Sequence, residues 1–134
     1  MQKWLMLQGH ASSVCQSSAA QVLAALQTTL ASAAGQWVLQ KHTNAASEFS
    51  VMQATDGGLK NHVIDRTFIE CVNGENIRWI IDYKLSISGE KLDLPVAAEQ
   101  HRPQLARYQS LFVGEGWKIK TAVLFLSSGE LFVL

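Results

Sequence analysis

Two carboxylates and a lysine lie within apolar stretches of the sequence, where their types and spacing could support chemistry. Asp65 lies in the stretch over residues 62–72, and Asp82 and Lys84 lie two apart in the stretch over residues 77–87. Both stretches are rich in Val, Ile and aromatic residues, which predicts two β-strands. Because side chains alternate between the two faces of a strand, Asp82 and Lys84 share one face. Carboxylates gathered on that face could bind a divalent cation.

The turn between the two predicted strands decides what Asp65 faces. Asn73-Gly74 lies between them, and Asn-Gly is a strong hairpin signal because a type I′ turn needs positive φ at both central positions. If these two residues form the turn, Asp65 lies opposite Asp82. If the turn lies one residue later, Asp65 lies opposite Lys84. Both registers leave the three charged side chains on one face.

Two carboxylates directly opposite each other on neighbouring strands repel. Their Cβ atoms lie about 5 Å apart, and at an effective dielectric near 20 the repulsion is roughly 3 kcal/mol. A divalent cation between them reverses the sign, and Lys84 offsets part of the repulsion. Oxygen ligands alone favour magnesium or manganese over zinc. The alternative is a partly buried salt-bridge cluster of Asp65, Asp82 and Lys84 in a small structural module.

A third carboxylate, Glu48, precedes these residues in a predicted strand over residues 47–53. If that strand pairs beside residues 62–69, Glu48 reaches the same site. Otherwise Glu48 is a solvated residue on an edge strand. The sequence leaves both interpretations open.

A helix before the strands and another after them complete a mixed α/β, or α+β, domain in the order α-β-β-β-α-β-β. The first helix is predicted from Ser17 or Ser18 to about Ala34 and ends at Gly35. Its apolar stripe at helical spacing consists of Val22, Leu26 and Leu30, with Leu23 and Ala33 beside them.

The second half of the chain is predicted to contain one helix and a hairpin. Residues 88–95 read as an irregular loop, and Pro103 suits the first turn of a helix. The apolar stripe of that helix consists of Leu105, Tyr108, Leu111 and Phe112. Residues 119–126 and 130–134 form the final hairpin, which makes the sheet a mixed one.

Composition indicates one globular domain of 134 residues, with 48% hydrophobic and 16% charged residues. Eleven basic and eleven acidic side chains give a net charge of zero, which excludes a general electrostatic attraction for nucleic acid.

No apolar run approaches the roughly 20 residues that span a bilayer. The two cysteines form neither a disulfide framework nor a zinc motif. These features favour a reducing, cytoplasmic location without membrane contact.

The N-terminal third carries almost no charge. Lys3 is the only charged side chain among residues 1–40, which makes a poor solvent-facing surface. We therefore infer that another chain, or sequence beyond this one, covers part of it. Residues 1–13 are expected to be the remnant of an upstream helical region.

Asp65 followed by Asp82-Tyr83-Lys84 resembles the signature of the PD-(D/E)xK nuclease superfamily. Longer stretches, in the same order, are similar to the C-terminal RecB/AddA-type nuclease domain of UvrD/Rep-family helicases. These stretches are residues 63–68, 78–84 and 102–108, with residues 35–39 and 46–48 upstream. The resemblance covers roughly residues 14–134. It implies a restriction-endonuclease-like core and a magnesium- or manganese-dependent deoxyribonuclease of the exonuclease kind, in DNA repair and recombination.

The resemblance also implies a role for each matching residue. Asp65 and Asp82 would bind the metal, with Glu48 nearby and the main-chain carbonyl of Tyr83 contributing. Lys84 would orient the attacking water and stabilise charge on the phosphate.

Two further residues match the Gln-x-x-x-Tyr motif of that family. Gln104 and Tyr108 lie one helical turn apart and would contact DNA near the site. The alternatives are a solvated helix residue for Gln104 and a core aromatic residue for Tyr108.

The chain also departs from the family pattern. Family members carry an upstream His in a Gly-x-x-x-His context, which is not found here, and His10, His42, His62 and His101 are unassigned. No Walker A pattern occurs, so a helicase motor would act in cis or in trans. The main alternative to a nuclease is therefore a weakly active or inactive domain of the same fold that binds DNA or a partner protein.

Overall fold

The structure is a computed structural model that describes residues 12–85 and 93–134. Over these residues the chain forms helices α1 (Ser12–Ala31), α2 (Ala33–Leu39), α3 (Leu94–Glu99) and α4 (Arg102–Ser110), and strands β1 (Thr43–Thr55), β2 (Gly58–Val72), β3 (Glu75–Lys84), β4 (Lys118–Phe125) and β5 (Glu130–Val133). A 3-10 turn over Val113–Glu115 precedes β4. The predicted remnant at residues 1–13 and the predicted loop over residues 88–95 fall largely outside the described residues.

The five strands form one mixed sheet in the order β1-β2-β3-β4-β5. Three of the four pairings are antiparallel, and β3 and β4 are parallel. A parallel pairing needs a crossover connection, and α3 and α4 supply it between β3 and β4. The predicted α+β class and mixed sheet are confirmed.

The helices cover the two faces of the sheet. On the face covered by α3 and α4, here called the crossover face, Leu105 and Tyr108 of α4 pack against Ile64, Ile80 and Val123 of three strands. On the opposite face, Val38 and Trp37 of α2 pack against Phe68, Trp79 and Leu124. Side chains of α4 therefore contact the crossover face of the sheet.

The predicted order needs correction, because two helices stand where one was expected, both before the strands and between β3 and β4. The first helix stops at Ala31, and Ser32 caps a separate helix: its side-chain oxygen accepts a hydrogen bond from Gly35 N at 2.9 Å. Gly35 therefore lies inside α2 rather than beyond the end of α1. A Cβ atom there would lie 2.0 Å from the carbonyl oxygen of Thr29, so this glycine permits close packing.

The predicted apolar stripe of the first helix is also partly wrong. Leu23 and Leu30 are 53% and 57% exposed, while Ala25 and Thr29 are buried. The hydroxyl of Thr29 donates to the carbonyl oxygen of Leu126 at 2.7 Å. This polar contact turns the helix so that Thr29, rather than the two leucines, faces the sheet.

Between β3 and β4 the unpredicted helix α3 begins at Leu94, within the expected loop, with Pro95 in its first turn. The helix predicted from Pro103 is confirmed as α4. Of its predicted stripe, Leu105, Tyr108 and Phe112 are buried.

No single helix among the described residues has the length and apolarity to cross a membrane. The required length and apolarity are met only by two consecutive helical segments taken together, Ala19–Ala31 and Ala33–Leu39, whose axes are bent by 89°.

Candidate functional site

The β2–β3 hairpin adopts the first of the two registers that the sequence allows. Val72 pairs with Glu75, and φ is 52° at Asn73 and 81° at Gly74, as a type I′ turn requires. The same register continues to the pair Arg66 and Ile81. Counting one step beyond the last pair brings Asp65 to Asp82, and the two side chains interact.

The main-chain pairing of β2 with β3 ends at Arg66 and Ile81. Beyond that point the N–H of Tyr83 donates to Asp65 Oδ2 at 2.8 Å. A side-chain carboxylate thus takes the place of a main-chain acceptor. Because the N–H and C=O of one strand residue point to the same side, the carbonyl of Tyr83 faces this gap as well.

Arg66 anchors the strand beside Asp65 from the other side. Its guanidinium donates to the carbonyl oxygens of Val38 and Gln40 at 3.1 and 3.0 Å and to Ser47 Oγ at 3.0 Å. These contacts fix β2 to α2 on the face opposite α4. The position of Asp65 is therefore set by an anchored main chain on one side and by Tyr83 on the other.

Asp82 is mostly buried and lies in contact with Asp65. Burial, a hydrogen bond to Asp65 and the negative charge of Asp65 together raise the pKa of Asp82 to about 7, while Lys84 lowers it. Two carboxyl groups can hydrogen-bond only when one of them carries a proton. The pair therefore shares a proton up to near-neutral pH.

Lys84 ends β3 and is exposed. Its positive charge lowers the pKa of both Asp82 and His101. The lysine thus adds a solvent-accessible positive charge within electrostatic range of the acidic pair.

The structure brings to this site one residue that the sequence left unassigned. His101 is the N-cap residue of α4, and its Nδ1 lies 3.7 Å from Asp82 Oδ2. Burial, and then Lys84, lower the pKa of His101, which favours the neutral imidazole in this contact. No local sequence signal identifies His101, because its contact with Asp82 joins segments that are distant in the sequence.

Glu48 lies at the register position opposite Asp65, between the pairs Ser47–Arg66 and Phe49–Ile64. It is exposed, and its φ of 51° departs from strand geometry. Within residues 12–85 and 93–134, no group of three or more His, Cys, Asp and Glu side chains lies close enough to hold a metal ion. A role for Glu48 as a ligand stays a prediction.

Gln104 and Tyr108 lie on α4 but contact β2 rather than the acidic pair. The Tyr108 hydroxyl accepts from Gln104 Nε2 at 2.8 Å and donates to the carbonyl oxygen of Val63 at 3.1 Å. Tyr108 is buried, and the ring of His62 packs edge-on against it. The two residues tie α4 to β2 two positions before Asp65, and their contact with DNA stays a prediction.

The donors that face the gap between β2 and β3 are oxygens: the carboxylates of Asp65 and Asp82 and the carbonyl of Tyr83. This set fits a hard divalent cation such as magnesium or manganese.

Neither a model of a known protein family nor a curated protein matched this chain.

Proposed function

We propose that this chain is a metal-dependent nuclease domain that hydrolyses phosphodiester bonds in DNA. The observation that carries the proposal is the Asp65–Asp82 pair at the point where β2 and β3 stop pairing, with Lys84 beside it. The resemblance to the PD-(D/E)xK superfamily supports it, since the pair lies on a hairpin followed by a crossover to a parallel strand. The proposal implies that the core of the domain is restriction-endonuclease-like.

The roles follow from the chemistry of the side chains. Asp65, Asp82 and the Tyr83 carbonyl would hold magnesium or manganese, which when bound supplies an acidic water and neutralises charge on the phosphate. Lys84 is exposed and stabilises the negative charge that develops on the phosphate oxygens. It also orients the attacking water by donating a hydrogen bond. Burial of Asp82 keeps bulk water from weakening these interactions.

The electrostatics of the site argue against the salt-bridge alternative. In a salt bridge the partner charge lowers the pKa of a carboxyl group, whereas burial and Asp65 raise that of Asp82 to about 7 despite Lys84. No ion pair between Lys84 and either carboxylate is found in the part of the chain that the structure describes. The acidic pair is better suited to bind a cation than to stabilise the fold.

The substrate we propose is a DNA end or a single strand delivered by a helicase motor, in cis or in trans, during repair or recombination in the cytoplasm. Phosphate contacts dominate the affinity of most proteins for DNA, and the net charge here is zero. The motor would therefore supply most of the binding.

Cleavage and metal binding together test the proposal. Labelled single- and double-stranded DNA is incubated with the chain and millimolar manganese at low salt, and manganese binding is measured by calorimetry. We expect metal-dependent cleavage that is lost in Lys84→Ala and Asp82→Asn but kept in Lys60→Ala, a matched exposed lysine on β2. A wild type that neither binds manganese nor cleaves would overturn the proposal and favour a domain that binds DNA or a partner without cleaving.

A further inference from the structure

A cleft lies at the end of the sheet opposite to the acidic pair, between the β2–β3 turn and the segment that enters β4. Its volume is about 330 Å³, and it is lined by Gly74, Glu75, Asn76, Gly116, Trp117 and Lys118. We propose that this cleft binds a nucleoside phosphate, whose base stacks on Trp117 and whose phosphate contacts Lys118. The site is separate from the one proposed for cleavage, and it needs neither a metal ion nor the two carboxylates.

Trp117 supplies the planar apolar surface of the cleft. It is 37% exposed, and within the described part of the chain it makes no ring contact and donates no side-chain hydrogen bond. Trp37 and Trp79, by contrast, pack edge-on against each other with ring centroids 5.0 Å apart. Every nucleobase has a π face that can stack on an aromatic side chain. An indole left open beside a cavity therefore favours a planar ligand.

The polar groups of the cleft fit the remainder of a nucleotide. Asn76 is half-buried, and Glu75 beside it is exposed; Asn and Glu side chains recognise the amino-bearing edges of adenine and cytosine. Lys118 is exposed, and among the described residues no ion pair engages its ammonium group. A lysine of this kind binds phosphate as a point charge. Lys120 lies two residues further along β4, on the same face, and adds a second positive charge.

Both walls of the cleft are held in place without a ligand. One wall is the β2–β3 turn, where φ is 81° at Gly74. The other wall follows Glu115, whose carboxylate accepts two hydrogen bonds from Arg78 at 2.9 and 2.5 Å. The Arg78 side chain is only 8% exposed, and a bidentate pair of this kind fixes the chain that enters Gly116 and Trp117. A preformed site loses less conformational freedom when it binds its ligand.

The cleft is too far from the acidic pair for one nucleotide to occupy both. Asn76 and Asp82 lie six residues apart on β3, which corresponds to about 20 Å along a strand. A stacked strand of DNA advances about 3.4 Å per nucleotide, so roughly six nucleotides cover that length. The nucleotide in the cleft is therefore not the one cleaved in the proposed function. It belongs either to the same DNA strand or to the pool of free nucleotides.

Nuclear magnetic resonance of the indole N–H groups tests the inference on the full chain in the absence of metal. The chain has four tryptophans, and the peak of Trp117 is the one that is missing from the spectrum of Trp117→Phe. Deoxyadenosine monophosphate and a strand of six deoxyadenosines are titrated at low salt, with an abasic strand of equal length as the control. We expect the two probes that carry a base to shift the Trp117 peak. Trp117→Ala should weaken binding of the deoxyadenosine strand about 5- to 150-fold.

A lysine variant tests the phosphate contact. Lys118→Ala should weaken binding of both base-containing probes and make it depend less on salt. Lys60→Ala, a matched exposed lysine on β2, should change neither. Tighter binding of the strand than of the monophosphate would support single-stranded DNA as the source of the ligand, and equal affinity would support a free nucleotide. A folded Lys118→Ala that binds as tightly as wild type would refute the phosphate contact.

The wild-type spectrum alone can overturn the inference, so the result does not depend on how the variants fold. A Trp117 peak that neither base-containing probe shifts, or that the abasic strand shifts equally, would show that no base stacks in the cleft. Such a result would leave the proposed function standing, because manganese binding and cleavage test that function separately. A protein that binds no manganese and cleaves no DNA, but whose Trp117 peak responds to a nucleotide, would lose the proposed function and keep this site.

Discussion

At the scale of single residues, the molecule keeps two carboxyl groups together where one would be enough for structure. Asp65 already accepts a hydrogen bond from the N–H of Tyr83. Asp82 adds repulsion with Asp65, and among the described residues its side chain accepts no main-chain hydrogen bond. Groups with strongly perturbed pKa values collect at functional sites for this reason. The energetic penalty at Asp82 is measurable in the metal-free protein.

Replacing Asp82 with Asn should stabilise the metal-free protein and abolish its response to metal. The amide can donate to Asp65 at any pH, which removes the repulsion between the carboxylates. The rise in the pKa of Asp82 from its ordinary value of 3.8 to about 7 corresponds to at most about 4 kcal/mol. Solvent screening reduces the expected gain in stability to about 1–2 kcal/mol. Thermal melting at pH 8 measures both effects: manganese should raise the melting temperature of wild type but not of Asp82→Asn. An equal rise in both proteins would place the ion elsewhere.

The same carboxyl group should give the metal-free protein a characteristic pH dependence. Asp82 has a pKa of about 7 in the folded protein against its ordinary value of 3.8, so between these values the folded state binds more protons than the unfolded state. Stability therefore falls as pH rises from about 4 to about 7 and levels off above that. Urea unfolding at pH 5 and pH 8 should show a larger advantage of Asp82→Asn over wild type at pH 8. An advantage that is the same at both pH values would contradict the raised pKa.

At the scale of elements, the hairpin that carries the carboxylates could be predicted from the sequence and the helices around it only in part. Asn73-Gly74 determined the turn and hence the register, because positive φ at both positions restricts the turn locally. The break at Ser32 and the contact of His101 with Asp82 depend on packing between distant segments. No local pattern encodes such contacts, so the sequence left His101 without a role.

Gly35 offers a test of the helix break. Alanine normally favours the interior of a helix by about 1 kcal/mol over glycine, but at this position its Cβ would overlap the carbonyl oxygen of Thr29. We expect Gly35→Ala to lower the free energy of unfolding by about 2–3 kcal/mol, as measured by urea denaturation. Gly57→Ala is the matched control, since no atom lies within 4 Å of its added Cβ. A stabilised Gly35→Ala would argue for a continuous helix instead.

Tyr108 distinguishes a structural tie from a contact with DNA. Tyr108→Phe removes the partly buried hydrogen bond to the carbonyl of Val63 and should cost about 1 kcal/mol of stability, the usual net contribution of such a bond. Denaturation measures this cost, and fluorescence anisotropy with labelled DNA measures affinity. Reduced DNA affinity at unchanged stability would instead favour the DNA contact that the sequence motif predicts.

At the scale of the whole molecule, the surface carries no net charge and exposes apolar side chains. The net charge is zero, and Leu23 and Leu30 lie exposed on a helix of uncharged side chains. An uncharged apolar surface of this kind fits the inference that another chain covers it, which stays a prediction. The α+β frame meanwhile holds the carboxylates at one side of the sheet, where His101, the residue just before α4, contacts Asp82.

The balance of charge predicts weak DNA binding and weak cleavage by the isolated chain. Non-specific affinities commonly lie near 1–100 µM at physiological salt, and without a net positive charge we expect the weak end of that range, about 100 µM. Anisotropy measured across salt concentrations should also show a shallow dependence on salt. Tight binding with a steep salt dependence would reveal a basic surface that the net charge conceals.

The hydrogen bond from Tyr83 N–H to Asp65 makes one backbone amide a reporter of the site. Most strand amides donate to carbonyl oxygens, whose charge does not change, but this amide proton points at a carboxylate that takes part in the acidic pair. Its chemical shift and its rate of exchange with deuterium therefore follow the state of that carboxylate. The peak of this amide in a nitrogen–proton correlation spectrum can thus report whether a cation is bound beside Asp65 in solution, without any measurement of cleavage.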